Sequence, residues 1–235
     1  MLLGFYDYTV ILTYLSLISA GLGIFVSLHG EGHPYLGIFF LMFCGLCDAF
    51  DGKVARTKKD RSEAAVKFGI QIDSLTDLVA FGVLPACVGD AMIRRSVFIP
   101  EMPITVAENR AENSLCVLLF TIMLLYILAA MIRLAYFNVE EEERQKKEEG
   151  VRLFYCGVPV TSASLVFPTV MLFHYIVPVD ITMVYFAFMI VLGFLFLSRI
   201  QIKKPGFKGI MVMVGIGLVE FILLFVAWQV FGFGR

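Results

Sequence analysis

CDAFDGKVAR, residues 47–56, and GIQIDSLTD, residues 69–77, decide how this chain is read, because they set four aspartates inside or at the edge of strongly apolar segments. In the first stretch Asp51, Gly52, Ala55 and Arg56 follow Asp48 by three, four, seven and eight residues; in the second, Gly69, Asp73 and Asp77 are spaced by four. At helical periodicity each set falls on one stripe. Two stripes, each with two acids and a glycine, can face one another. A lone aspartate at a bilayer centre costs roughly 2.5–3.5 kcal/mol on insertion scales, and close carboxylates repel one another as well. A bound divalent cation offsets that repulsion. Hard cations such as Mg²⁺ take carboxylate oxygens and often substrate phosphates too. The residues leave a second reading open, an ion-paired structural cluster using Lys53 and Arg56. They leave open also whether Gly52, Ala55 and Gly69 let helices pack closely or make room for a flat ligand.

The rest of the chain is as apolar as the setting of those aspartates suggests. Of 235 residues, 59% are hydrophobic and the mean hydropathy is +0.85, against roughly 45–50% apolar residues in an average soluble domain. Apolar runs of about 20 residues recur and mark membrane-spanning helices. Seven are expected, near 10–28, 35–57, 69–92, 114–138, 157–177, 181–199 and 209–231, separated by turn-rich breaks such as HGEGHP and VPVD. The fold class is therefore an all-α polytopic membrane helix bundle of six to seven transmembrane helices. Residues 1–235 form a single integral membrane domain, with the motif 48–77 on the second and third helices. The mixed-charge run EEEERQKKEEG reads as a solvated helical extension. A net charge of −1 gives no sign of a nucleic-acid partner. MLLGFYDY lacks a basic n-region and an A-x-A-like site, so an uncleaved first span is expected. The five cysteines lie in or beside apolar runs and read as small buried hydrophobes. His29 and His33, four apart in a Gly/Pro loop, read as loop residues, and His174 as an interfacial one.

Charge sets the orientation. With the N-terminus in the cytoplasm, the connections after spans two, four and six hold fifteen of the nineteen basic residues, leaving Arg94, Arg95, Arg110 and Arg235 outside. This is the positive-inside pattern of a multi-pass protein of the cell membrane. Asp48 lies thirteen residues into span two, about 20 Å along it. In a hydrocarbon core about 30 Å thick this is the cytoplasmic half. Asp73 and Asp77, about 6 and 12 Å along the returning span, reach similar depth.

Taken together, Asp48-x-x-Asp51-Gly52-x-x-Ala55-Arg56 and Gly69-x-x-x-Asp73-x-x-x-Asp77 resemble the signature of the CDP-alcohol phosphotransferases, membrane enzymes that displace CMP from a CDP-linked lipid with an alcohol. Eight fixed positions carry the resemblance, and the multi-span hydropathy around them is consistent with it. The twelve residues TKKDRSEAAVKF between Arg56 and Gly69 exceed the family's usual spacer by about one helical turn. Within the family, DSLTDLVAFGVLPA (73–86), RLAYFN (133–138) and GVP (157–159) resemble stretches of the phosphatidylserine synthase branch, with Tyr136 where a second arginine is common.

The resemblance implies CDP-diacylglycerol and L-serine as substrates, phosphatidylserine and CMP as products, and a homodimer among membrane lipids. It implies Mg²⁺ or Mn²⁺ held by Asp48, Asp51, Asp73 and Asp77, with Asp77 also the catalytic base. Arg56 would bind a phosphate through its planar fork, Gly52, Ala55 and Gly69 would border the cytidine, and Ser62 stands where a phosphate-contacting hydroxyl would lie. Arg133, near the end of an apolar span, is the candidate for the serine carboxylate, against a reading in which it snorkels to the interface. Asn138 is a second candidate, against a helix C-cap. Rival readings change the acceptor, to glycerol 3-phosphate or an inositol compound, or make the carboxylates part of a cation transporter.

Overall fold

The computed structural model describes residues 4–29, 32–96, 99, 110–147, 154–176, 179–203 and 206–231. The tip of the HGEGHP loop, most of the connection 97–109, the end of the mixed-charge run with Arg152, the Val-Pro of the 177–180 turn, and Arg235 lie outside them. Helical rods stand at all seven expected places. Helix α1, Ile11–Leu28, follows a 3-10 turn at Tyr8–Val10 that Asp7 caps by accepting from the Thr9 amide at 2.8 Å. Helix α2, Pro34–Ala55, opens on a proline, whose fixed φ suits a first turn. Helix α3, Glu63–Asp77, starts where Ser62 accepts from the Ala65 amide at 3.2 Å, the reciprocal of an orphan first-turn donor. It runs without a break into a π-helical turn, Leu78–Val83, and then α4, Leu84–Arg95.

The π turn has an identifiable cause. Pro85 has no N–H to return to the Phe81 carbonyl four residues back. The buried Tyr126 hydroxyl donates to that carbonyl at 2.8 Å, and Tyr185 donates to the Pro85 carbonyl at 2.8 Å. Both tyrosines come from helices packed on this one: α5, Arg110–Lys147, and α7, Thr182–Leu197. Satisfying freed backbone groups from neighbouring helices is what allows proline within a bilayer-spanning rod.

The remaining rods are α6, Ala163–Ile176, and α8, Phe207–Phe231. Among the described residues four helical stretches are long and apolar enough to cross a membrane: Tyr8–Leu28, Glu63–Arg95, Ser114–Arg144 and Phe207–Val230. Helix α2, with 22 residues, is about 33 Å long. Helices α6 and α7 are shorter, with 14 and 16 residues, about 21 and 24 Å. Hydropathy alone extends them because residues 157–162 are apolar or neutral and Arg199 is a single charge beside Ser198 and Ile200, yet the chain turns there. Gly157 has φ +81°, and a Cβ on it would lie 2.8 Å from the Ser198 carbonyl oxygen. The turn lets β1, Phe154–Cys156, pair antiparallel with β2, Gln201–Lys203, with Tyr155 opposite Ile202. Span four also runs past its expected end at 138, as α5 continues to Lys147 with an Arg144–Glu141 ion pair at 2.7 Å. This is the solvated extension that the mixed-charge run predicts.

The core lies between α2, α4, α5, α6 and α7. Ile38, Leu41, Phe81, Leu84, Tyr126, Phe167 and Tyr185 are buried there, with the Phe167 and Tyr185 rings stacked at 4.6 Å. The outward faces of α1, α5 and α8 carry exposed leucine, valine, isoleucine and phenylalanine, as expected of a surface that meets lipid tails. All five cysteines are free, and Cys44, Cys47 and Cys116 are buried.

Candidate active site

Helices α2 and α3 run in opposite senses, joined by residues 56–62, and their acidic stripes meet. Asp48, Asp73 and Asp77 each present a carboxylate oxygen, and the three atoms lie within 4.8 Å of one another. Asp51 is beside them, its side chain in hydrogen-bond contact with that of Asp73 and with the Gly52 amide. Asp51 and Asp77 are buried. Among the described residues no ion pair joins any of the four aspartates to Lys53 or Arg56. An all-oxygen donor set, anionic and within one coordination sphere, fits a hard divalent cation of the Mg²⁺ or Mn²⁺ kind.

The cluster opens on a cavity of about 650 Å³, within the usual range for small-molecule sites. One side is polar: Asp48, Asp51, Gly52, Lys53, Arg56, Asp73, Asp77 and Arg133. The other is apolar, lined on α2 by Phe39, Met42, Phe43 and Leu46 and on α8 by Ile210, Met213, Val214, Leu218 and Phe221. The Phe39 and Phe221 rings meet edge to face at 5.1 Å at its far end. A molecule that fills this space has a charged end and a greasy one.

The glycines of the two helices differ in what stands opposite them. A Cβ on Gly52 would meet the Arg56 guanidinium at 3.4 Å, and one on Gly69 the Arg61 guanidinium at 2.7 Å. Both face the tips of long flexible side chains, whereas a Cβ on Gly45, one turn before Asp48, would collide with Ser164 of α6. Gly45 is a packing glycine; Gly52 borders a movable group on the cavity wall, and Gly69, off that wall, borders the Arg61 guanidinium.

Arg133 does not snorkel. It is buried on the cavity wall, its Nε donating to the Val158 carbonyl at 3.2 Å and its guanidinium 5.4 Å from the Phe137 ring centroid. The Gly157 turn places that carbonyl, so the GVP stretch and the arginine form one unit. Asn138 is not a helix cap, because α5 runs on beyond it; its amide donates to the Ser74 hydroxyl at 2.8 Å, next to Asp73. Ser62 is exposed and uses its oxygen on the α3 cap. Ser62, Ala55, Gly69 and Asn138 are not among the cavity-lining residues. Conversely, Thr161, Ser164 and the α8 wall line the cavity without having been singled out in sequence, and Lys53, a charge in an apolar helix, lines it where the sequence offered it only as a counter-ion for the aspartates.

A sequence profile described as CDP-alcohol phosphatidyltransferase matches residues 9–230. Two Helicobacter pylori proteins named CDP-diacylglycerol–serine O-phosphatidyltransferase are 26% and 28% identical over 178 residues, 72% of this chain. A Saccharomyces cerevisiae protein of the same name is 30% identical over 143 residues, 60% of this chain. The aligned parts are 62% of the bacterial relatives and 43% of the yeast one.

Proposed function

Because the chain belongs to the CDP-alcohol phosphatidyltransferase family, we propose that it transfers a phosphatidyl group from CDP-diacylglycerol to L-serine, giving phosphatidylserine and CMP. The observation that carries the reading is the meeting of three carboxylates from two antiparallel helices on a cavity with one charged and one apolar side. A nucleotide-linked lipid has that polarity. The names of the relatives favour serine as the acceptor.

Asp48, Asp73 and Asp77, with Asp51 beside them, would hold Mg²⁺ or Mn²⁺, which when bound neutralises charge on the diphosphate and on departing CMP. Arg56, at the rim, binds the diphosphate through its two-pronged guanidinium. Gly52 leaves the base and ribose room, with Ala55 on the same stripe and Gly69 on the facing one. Ser62, at the start of α3, lies at the solvent side of the phosphates. Arg133 holds the carboxylate of serine, fixed for that task by the Val158 carbonyl and the Phe137 ring. Asn138 positions α5 against α3 through Ser74. Asp77 takes the serine hydroxyl proton as that oxygen bonds to the lipid-linked phosphorus, and the bond from this phosphorus to the oxygen of CMP breaks. The basic residues flanking the site end of the bundle support placing it in the cytoplasmic half of a cell membrane. We propose a homodimer as the functional unit.

The test is CMP release by the purified chain with CDP-diacylglycerol, Mn²⁺ or Mg²⁺, and in turn serine, glycerol 3-phosphate and inositol. Release with serine alone is expected. Release driven only by another acceptor replaces serine, and metal flux into vesicles without CMP release makes the protein a transporter. Asp77→Asn should keep CMP binding and lose turnover; full activity in that variant removes Asp77 as the base.

A further inference from the structure

Lys53 is the one cation on α2 that the motif does not require. Seven and eleven residues separate it from Leu46 and Met42, which at 100° per residue puts it on the apolar stripe of α2 and not on the acidic one. It stands at the site end of that stripe, where the greasy wall of the cavity meets the charged one. Its ammonium lies 4.3 Å from the ring centroid of Phe207, the first residue of α8, and 5.1 Å from that of Phe50. The Nζ atom is buried and has no hydrogen-bond partner among the described residues. Aromatic faces attract a cation but accept none of its three N–H groups in the way an oxygen does. A buried ammonium that lacks an acceptor is costly, and an anionic oxygen in the cavity would supply one.

Position selects which anion. An amphiphile lying with its tail between α2 and α8 must bring its lipid-linked phosphate past Lys53 before the rest of its headgroup reaches the aspartates. We propose that Lys53 binds the phosphate joined to the diacylglycerol, and that Lys53 with Phe207 forms the lateral access by which an anionic lipid enters the cavity between α2 and α8. The proposal rests on the reading of the site as a lipid-nucleotide site and adds to it a residue for the lipid side, distinct from Arg56 on the nucleotide side. Lysine suits a group that must release product, because it meets phosphate as a point charge without a two-pronged grip.

The experiment uses the full chain in nanodiscs and measures three quantities for wild type, Lys53→Gln, Lys53→Arg and Phe207→Leu. They are KM for CDP-diacylglycerol, Kd for CMP, and Kd for phosphatidate, a diacylglycerol phosphate without nucleotide. Lys53→Gln should raise KM for CDP-diacylglycerol and Kd for phosphatidate about tenfold, the worth of one charge-assisted hydrogen bond, and change Kd for CMP less than twofold. Lys53→Arg should restore most of the loss, and Phe207→Leu should cause a smaller shift of the same pattern. Equal weakening of CMP and lipid overturns the proposal by making Lys53 a nucleotide ligand. Unchanged binding with a lowered melting temperature overturns it by making the lysine a strut between α2 and α8. If wild type neither binds CMP nor releases it, the proposed reaction fails, and the phosphatidate arm still decides whether Lys53 recognises a lipid phosphate.

Discussion

The two halves of α2 both carry glycines and do opposite work. In the half that starts at Pro34, glycine brings backbones together: a Cβ on Gly37 would collide with the Ser27 hydroxyl and lie 2.7 Å from a Val88 methyl. On the facing helix, a Cβ on Gly23 would lie 2.8 Å from Leu84 and 2.9 Å from Phe40. Ile38, Leu41 and Cys44 are fully buried there. In the half that ends at Ala55, Gly52 faces only the end of an arginine, and the helix presents carboxylates to a cavity. The same residue type closes one half and opens the other. The difference lies in what stands opposite: short branched side chains fixed by packing, or long charged ones that can move aside. A bundle that is tight at one end and hollow at the other can hold a polar headgroup within the membrane without loosening as a whole.

Substitutions at the two ends should therefore separate activity from stability. The largest effect is expected at the acids. Asp48→Asn or Asp73→Asn removes an oxyanion from the shared coordination sphere and should lower the rate of CMP release by about 10²–10³-fold. The melting temperature in detergent should change little, since no ion pair with Lys53 or Arg56 is broken. Chelation with EDTA should silence the wild type, and added Mn²⁺ should restore it. Activity that survives both treatments would separate the acidic cluster from the chemistry.

The glycines sharpen the contrast. Gly37→Ala should cost about 1–3 kcal/mol through overpacking against Ser27 and Val88, read by denaturation, with KM unchanged in the folded fraction. Gly52→Ala should cost under about 0.5 kcal/mol, because Arg56 can move, while KM for CDP-diacylglycerol rises as the added methyl enters ligand space. If Gly52→Ala unfolds the protein and Gly37→Ala does not, the two halves have been assigned the wrong way round.

What could be read in advance follows the same divide. The acidic stripes were legible because period 3.6 is a strict geometric rule, and a charge in an apolar helix stands out against it. The rods themselves were legible from hydropathy. The cavity was not, because the α8 residues that line it are as apolar as those that face lipid, and the one mid-helix charge of α8, Glu220, marks instead the side bonded to Thr169 of α6. The short α6 and α7 were not, because a turn made by Gly157, Pro159 and a three-residue ladder leaves the hydropathy continuous. Arg133 stood out as a charge, yet its hold on the Val158 carbonyl depends on that turn. Lys53 was visible only as a possible counter-ion for the aspartates, and its place on the other stripe gives it a different partner.

A smaller effect is expected where the two halves join. Tyr126 satisfies the Phe81 carbonyl that Pro85 leaves open, one turn beyond Asp77 on the same rod. Tyr126→Phe leaves that buried acceptor without its donor and should cost about 1–3 kcal/mol. If the π turn also aims Asp77, KM and the rate of CMP release should shift together. A loss of stability with unchanged kinetics would confine Tyr126 to the closed half.

The smallest effect is expected at the rim of the open half, where the N-terminal turn is tied to the segment after α2. Asp7 accepts from the Thr9 hydroxyl and pairs with Lys58 at 2.9 Å, and Thr57 donates to the Tyr8 hydroxyl at 3.2 Å. The Thr9 hydroxyl first, and Lys58 after it, hold the Asp7 carboxyl well below the usual carboxylate range. A depressed folded value contributes stability that is fully present above the unfolded value, near about 3.9, and is lost as the pH falls through the folded one. Wild type should therefore exceed Asp7→Asn in melting temperature at pH 7. The gap should begin to narrow below about pH 4 and keep narrowing as the pH falls further. Because the tie is exposed, salt should reduce the part owed to Lys58 and leave the part owed to Thr9. A gap that narrows in acid but does not respond to salt would mean that Asp7 acts as a helix cap alone and that the N-terminal turn is not fastened to the open half by charge.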